Sequence, residues 1–183
     1  MAKKSNTQKP KSKLTSIIVV VIILAFLLLI FSNIFKSNDR KLKPANNKIV
    51  EKNYKFEKNG ELTFQNKDGG FISAIDLEFA ENNNDRTDGL MYRTEMKENQ
   101  GMLFIFPTER MQSFWMKNTV LSLDMLFVNS KLEIVTIHKN TKPYDENSYL
   151  SSAPAQYVVE VNAGYTTSQN IKEGDKVIFR RTD

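Results

Sequence analysis

The chain has 183 residues, with 26 Lys and Arg against 21 Asp and Glu, one His and no Cys. That length suggests one folded domain with accessory segments, and the absence of Cys excludes disulfides, thiolate catalysis and Cys-ligated zinc. The net charge of +5 divides into +9 for positions 1–48 (ten basic residues, one acidic) and −4 for positions 49–183; a nucleic-acid footprint would need Lys and Arg clustered on the domain itself, so no nucleic-acid partner is expected.

Positions 1–13 carry five Lys and no acid and read as a disordered basic tail. Positions 14–35 hold no charged residue, and Ile17 to Phe31 is almost wholly Ile, Val, Leu and Phe. As a helix these 22 residues reach roughly 33 Å, enough for a hydrocarbon core of about 30 Å, so a single transmembrane helix is predicted. A buried core helix would show a polar stripe, and none exists; a cleaved signal would show small residues before a cut, and the exit FSNIFKSND holds no small-x-small site, which favours an uncleaved signal anchor. The acid-free tail is expected to stay in the cytoplasm, leaving the domain on the outer side of the cell membrane. Positions 36–59, rich in Lys, Asn and Ser, read as a polar linker, and the folded domain as positions 60–183.

From Glu61 the pattern has period two. ELTFQN and FISAIDLEF flank the turn KDGG and predict a hairpin, with Phe71, Ile75, Leu77 and Phe79 on one face and Asp76 and Glu78 on a wet one. Glu81 to Asp88 offers cap oxygens for a short helix ending at Leu90 and Met91. Strands are predicted at Met102 to Phe106, Gln112 to Met116, Leu123 to Val128, Leu132 to His138, Tyr157 to Val161 and Lys176 to Arg180. A long loop from Lys139 to Ala155 and a short helix near Tyr165 to Asn170 complete the reading. Many short strands with one or two short helices make a mainly β domain, a sandwich or a barrel.

The segments GLMYR (Gly89 to Arg93), GMLFIF (Gly101 to Phe106), FWMKNT (Phe114 to Thr119), LDMLFV (Leu123 to Val128), YVVEVNAG (Tyr157 to Gly164) and IKEGDKV (Ile171 to Val177), with Pro143, stand in one order. In these motifs, from roughly Glu61 to Phe179, the chain resembles the bacterial and archaeal domain of unknown function 192 family. The resemblance implies a jelly-roll-like β fold and carries no activity with it. Ser122 departs from the family pattern, which has Pro before the Leu-Asp pair, and a less rigid turn is expected there.

Six residues are candidates for a binding site or a buried polar cluster: Arg93, Trp115, Lys117, Asn118, Asp124 and Glu160. In GMLFIF and in LDMLFV both alternating sets are apolar, so both strands are expected to be covered on both faces. Asp124 then lies among core residues and needs partners, either the N–H groups of the turn Thr119 to Ser122 or the cations Arg93 and Lys117. Arg93 is expected to reach Asp124 or Glu160. Lys117 is expected over the Trp115 ring, where it either covers an aromatic surface or shares an aromatic-floored ligand site with Asn118.

Six Met between Met91 and Met125 raise Cu(I), but their spacing lacks short M-x-x-M clusters and fits adaptable core filling better. His138 stands without a nucleophile-elbow motif, and one His with no Cys is too few for a zinc site without three carboxylates. No cofactor or metal is therefore expected. Three roles stay open. One is a membrane-tethered binding or accessory module for an unknown ligand, more in keeping with a non-enzyme. Another is an envelope hydrolase using Asp124 with Arg93 or Lys117. The third is an assembly partner of an envelope protein.

Overall fold

The computed structural model describes residues 22–30 and 54–182. Residues 22–30 are helical, with large apolar side chains such as Phe26 and Leu28 exposed. No helix among the described residues is long and apolar enough to cross a membrane. The remainder of the predicted 14–35 span lies outside them, as do the tail and most of the linker. Asn53–Asp183 forms a compact unit.

That unit is mainly β. Its elements run β1 (Gly60–Gln65), β2 (Phe71–Ala80), α1 (Asn83–Asp88), β3 (Gln100–Arg110), β4 (Ser113–Phe114), β5 (Leu123–Val128), β6 (Ile134–His138), β7 (Tyr149–Leu150), β8 (Ala155–Asn162), α2 (Tyr165–Ser168) and β9 (Lys176–Arg181). Seven strands form one sheet in the order β6-β5-β8-β3-β2-β1-β9, and β4 pairs with β7 in a small ribbon. Every neighbouring pair in the sheet is antiparallel except β2 and β3. A parallel pair needs a crossover connection, and here α1 and the segment through Asn99 supply it. The edge strands meet at one end, where Glu133 bridges Lys176 and the Ile134 N–H donates to the Asp175 carbonyl at 2.8 Å. The sheet therefore curls until its two edges are joined there.

Period-two sequence places two apolar sets on opposite faces of this curled sheet. Leu62, Phe64, Leu77, Leu103, Leu126 and Val159 fill the inner core. Met102, Phe104, Met125, Phe127 and Val158 form an outer core, roofed by Leu90 of the crossover and Met116. GMLFIF and LDMLFV are thus covered on both faces, as their sequences predict. Each large side chain so buried contributes about 1.5–3 kcal/mol.

The KDGG turn joins β1 to β2 with Gly69 at φ 88, a left-handed conformation that suits glycine. On β2 the expected wet face is wrong at one position. Glu78 is buried, because the crossover returns over the strand, while Phe71 at the hairpin end is exposed. The loop from Lys139 to Ala155 contains β7, and the predicted Gln112–Met116 strand shortens to the two residues of β4. Ser122, the departure from the family pattern, donates its hydroxyl to the Thr141 carbonyl at 2.7 Å, which pins the turn that Pro would have stiffened.

Candidate functional site

A cross-strand row on the outer face carries the polar residues of interest. Glu78 on β2 pairs with Met102 on β3, Met102 with Glu160 on β8, Glu160 with Met125 on β5, and Met125 with His138 on β6. Residues in register across a sheet share a face, so both glutamates point to the outer core. Arg93, at the end of the segment that follows α1, lies with its Nη2 2.5 Å from Glu78 Oε2, both side chains nearly buried. That contact is an ion pair without an aligned hydrogen bond, and Arg93 Nε is buried with no hydrogen-bond partner. The other oxygen of Glu78 accepts the Glu57 N–H at 2.6 Å.

Glu160 is 4% exposed. Burial pushes its carboxyl up to about 8, with the charge of Arg93 pulling the other way. At neutral pH it therefore carries its proton and presents an O–H donor. Its side chain makes no hydrogen bond to the described residues, and it lines a cavity of about 470 Å³. Phe104 and Glu160 belong to the sheet beneath this cavity. Gly89 to Met91 lie on one side and Arg110 to Trp115 on the other, with Arg86 and Asp88 from α1.

The walls are fixed by ring packing. Phe114 meets Phe104 edge-on at 5.0 Å, Phe106 at 6.1 Å and Phe127 at 5.7 Å. The Arg86 guanidinium sits over the Phe106 ring at 5.3 Å and donates to the carbonyls of Glu81 and Ile105 and to Asn83 Oδ1. Trp115, 47% exposed, stands at the mouth, and Lys117 Nζ lies 5.1 Å from its ring centroid, the contact expected from their shared side. Asn118 adopts φ 54, accepts the Tyr92 N–H on its carbonyl at 2.8 Å, and directs its side-chain amide to Met91 Sδ at 3.9 Å. It stitches the two walls together.

Asp124 stands apart from this cluster. Its side chain shares the inner face with Leu126 and Val128 and is fully buried. The partners expected for it were the Thr119 to Ser122 turn or the cations Arg93 and Lys117; the structure supplies others. Oδ1 accepts the N–H groups of Asn140 at 2.8 Å and Gly164 at 3.2 Å, and Oδ2 accepts the N–H and hydroxyl of Thr166 at 3.0 and 2.6 Å. The carboxylate fastens the start of α2 and the loop after β6 to the end of the sheet. Arg93 correspondingly reaches Glu78 and not Asp124.

His138 is held between Phe127 and Tyr149, with Nε2 2.8 Å from the Leu150 carbonyl oxygen. Among the described residues no group of three or more His, Cys, Asp or Glu is arranged to hold a metal. Sequence reasoning missed Glu78, Arg86 and Arg110. For Glu78 the signal was the crossover itself: a helix motif straight after β2 that returns the chain across the strand it has just left.

The DUF192 family model, described as "Uncharacterized ACR", matches residues 64–179. Among solved structures, a Sinorhizobium meliloti 1021 protein described as "a putative transcription regulator" aligns at TM-score 0.64 and 36% identity, over 68% of this chain and 97% of that one. A protein of unknown function from Novosphingobium aromaticivorans DSM 12444 aligns at TM-score 0.61 and 35% identity, over 64% of this chain and 83% of the other. No curated protein matches.

Proposed function

The chain belongs to the DUF192 family, which carries no assigned activity, and from that premise we propose that its domain is a ligand-binding module held at the outer side of the cell membrane. One observation carries the reading: a cavity of about 470 Å³ that reaches a buried, hydrogen-bond-free carboxyl group, Glu160, through aromatic walls. The cavity's lining divides about evenly between polar and apolar residues, and small molecules bind where convergent polar groups stand among apolar walls. Arg93, Trp115, Lys117, Asn118 and Glu160 line, shape or back this groove, and Asp124 holds the scaffold.

The hydrolase reading loses its main support in the saturation of Asp124, whose oxygens face four donors and no solvent. Tethering rests on the uncharged stretch 14–35 and on the helical, apolar residues 22–30 within it. The joined edges of the sheet favour a barrel of jelly-roll-like character. The transcription-regulator description of the Sinorhizobium protein is not extended to this chain, whose positions 49–183 carry a balance of −4 and so lack an electrostatic footprint for DNA.

The test is a native mass spectrum of residues 53–183, purified gently from their own envelope, beside the Trp115→Ala variant. A reproducible extra mass, lost in Trp115→Ala while the melting temperature holds, is the expected result. An extra mass that survives the substitution places the ligand elsewhere, and a bare polypeptide in both samples counts against a tightly held ligand.

A further inference from the structure

The charges at this groove run against those of the domain. Positions 49–183 balance at −4, yet the mouth presents Arg86 and Arg110 against the single carboxylate of Asp88. Arg86 is fixed by two backbone carbonyls and by Phe106. Arg110 is exposed at the end of β3 and takes part in no ion pair among the described residues. Deeper in, the neighbours of Glu160 along its row are Met102 and Met125. Thioethers are poor hydrogen-bond partners, so the cavity is the direction from which a partner for this carboxyl arrives. Behind it, Glu78 and Arg93 neutralise one another. A cation entering the groove would pass two guanidinium groups to reach an uncharged acid, whereas an anion meets attraction at the mouth and no opposing charge on the floor.

We propose that the groove takes a small amphiphilic anion. Its acidic group rests outermost between Arg86 and Arg110, its apolar body lies over Phe104, Phe114 and Trp115, and an oxygen acceptor at its inner end receives the Glu160 O–H. This rests on the binding-module reading and adds the ligand's chemical class. The proton on Glu160 gives the class a pH signature. Below about 8 the neutral carboxyl donates to the ligand; above it an ionised carboxylate repels an anion in the same cavity. The charged groups around it are Arg93 and Glu78 behind, and Arg86, Asp88 and Arg110 in front.

Two probes separate the outcomes, 8-anilinonaphthalene-1-sulfonate and N-phenyl-1-naphthylamine, which share one aromatic body and differ in the sulfonate. Trp115 is the sole Trp, so energy transfer from it reports occupancy of this groove. Residues 53–183 suffice as material, because they form a compact unit of their own and the crystallised Sinorhizobium chain aligns with this one over 97% of its length. At pH 7 the sulfonate is expected to bind at least tenfold more tightly than the neutral amine. Arg110→Ala should remove most of that preference without changing the binding of the amine. From pH 7 to 9 the sulfonate should weaken several-fold in the parent and stay level in Glu160→Gln. Equal or tighter binding of the neutral probe, or a preference that survives Arg110→Ala, overturns the anion class and leaves the groove as a site. Failure of both probes to take energy from Trp115 overturns the groove itself, and with it this inference.

Discussion

Asp124 and Glu160 are buried carboxylates on neighbouring strands, Asp124 in register with Val161 and Glu160 with Met125, and they sit in opposite circumstances. Asp124 faces inward onto four hydrogen-bond donors; Glu160 faces outward onto none among the described residues. Removing the first strands three N–H groups and a hydroxyl in the interior, each at a cost of about 1–3 kcal/mol if left unpaired. Asp124→Ala is therefore expected to lower stability by at least about 3 kcal/mol in urea unfolding of residues 53–183. A loss below about 1 kcal/mol would show that these donors find water instead. For Glu160 the linkage runs the other way from that of a paired acid. Its folded value of about 8 lies above the ordinary 4.5, so between those two pH values the folded state holds a proton that the unfolded state has released. The contribution of Glu160 to stability then falls as pH rises from about 4.5 to about 8, by an amount on the order of a few kcal/mol, and this contribution is constant on either side. Glu160→Gln should erase this slope, matching the parent near pH 4.5 and exceeding it at pH 8.5. Parallel pH profiles for the two proteins would mean that Glu160 is ionised in the fold.

At the scale of elements, the glycine whose added Cβ would come nearest to main chain lies beside the site, at Gly101 of β3 against β8. A Cβ there would stand 2.7 Å from the Glu160 carbonyl oxygen and 2.9 Å from Ile75 Cδ1, and the first of these is main chain that cannot turn aside. Gly101→Ala is thus expected to cost about 1–3 kcal/mol and to shift the β3–β8 register pair, read by urea unfolding and by the amide resonances of Glu160 and Val161. An unchanged midpoint would mean that the two strands separate there without penalty. The same strands show what sequence makes legible. GMLFIF and LDMLFV alternate two apolar sets, and an apolar set on each side of a strand can only mean cover on both faces. The KDGG turn and the N-terminal cap of α1 on Asn82 are local signals and fall where they were expected, whereas the helix stops at Asp88, short of Leu90 and Met91. Glu78 was misplaced because its alternation with Leu77 and Phe79 describes β2 alone, whereas its burial comes from Arg93 and the returning crossover. The partner of β4 in its ribbon, β7, was missed for a related reason: a two-residue strand leaves no periodicity, and the pairing joins positions 113 and 150, far apart in the chain. Of the six candidate site residues, Trp115 and Lys117 do meet, but β4 ends at Phe114 and Lys117 opens a turn, so the contact comes from the local loop and not from the regular strand expected there. The assignment of Arg93 to Glu78, and of Asp124 to Asn140, Gly164 and Thr166, depends on chain crossings that no single stretch encodes.

At the scale of the molecule, a +9 segment precedes a −4 segment, and the question is how the first holds the second. Two mechanisms differ in their response to salt. Basic residues resting on anionic headgroups are screened within about 10 Å at 0.1 M salt and about 3 Å at 1 M, so adsorption fails in a high-salt wash. An inserted helix is held by burial of its apolar side chains, which salt does not weaken. The last residues of the predicted linker are packed on the domain: the Glu57 N–H reaches Glu78, and Asn59 exchanges main-chain hydrogen bonds with Leu77 and Thr182. On the tethered reading, fewer residues are then left to span the gap than the polar composition of 36–59 suggests, and the domain is expected within roughly 25 Å of the bilayer surface. The full chain is expected to sediment with membranes and to remain there through both 1 M salt and an alkaline carbonate wash, while residues 53–183 stay in the supernatant. In cells whose membrane is intact but accessible from outside, added protease should remove the domain. Release by salt alone would replace the anchor with electrostatic adsorption of the basic segment. Retention through both washes with the domain protected from protease would keep the anchor and reverse its orientation, placing the Glu160 groove on the cytoplasmic side.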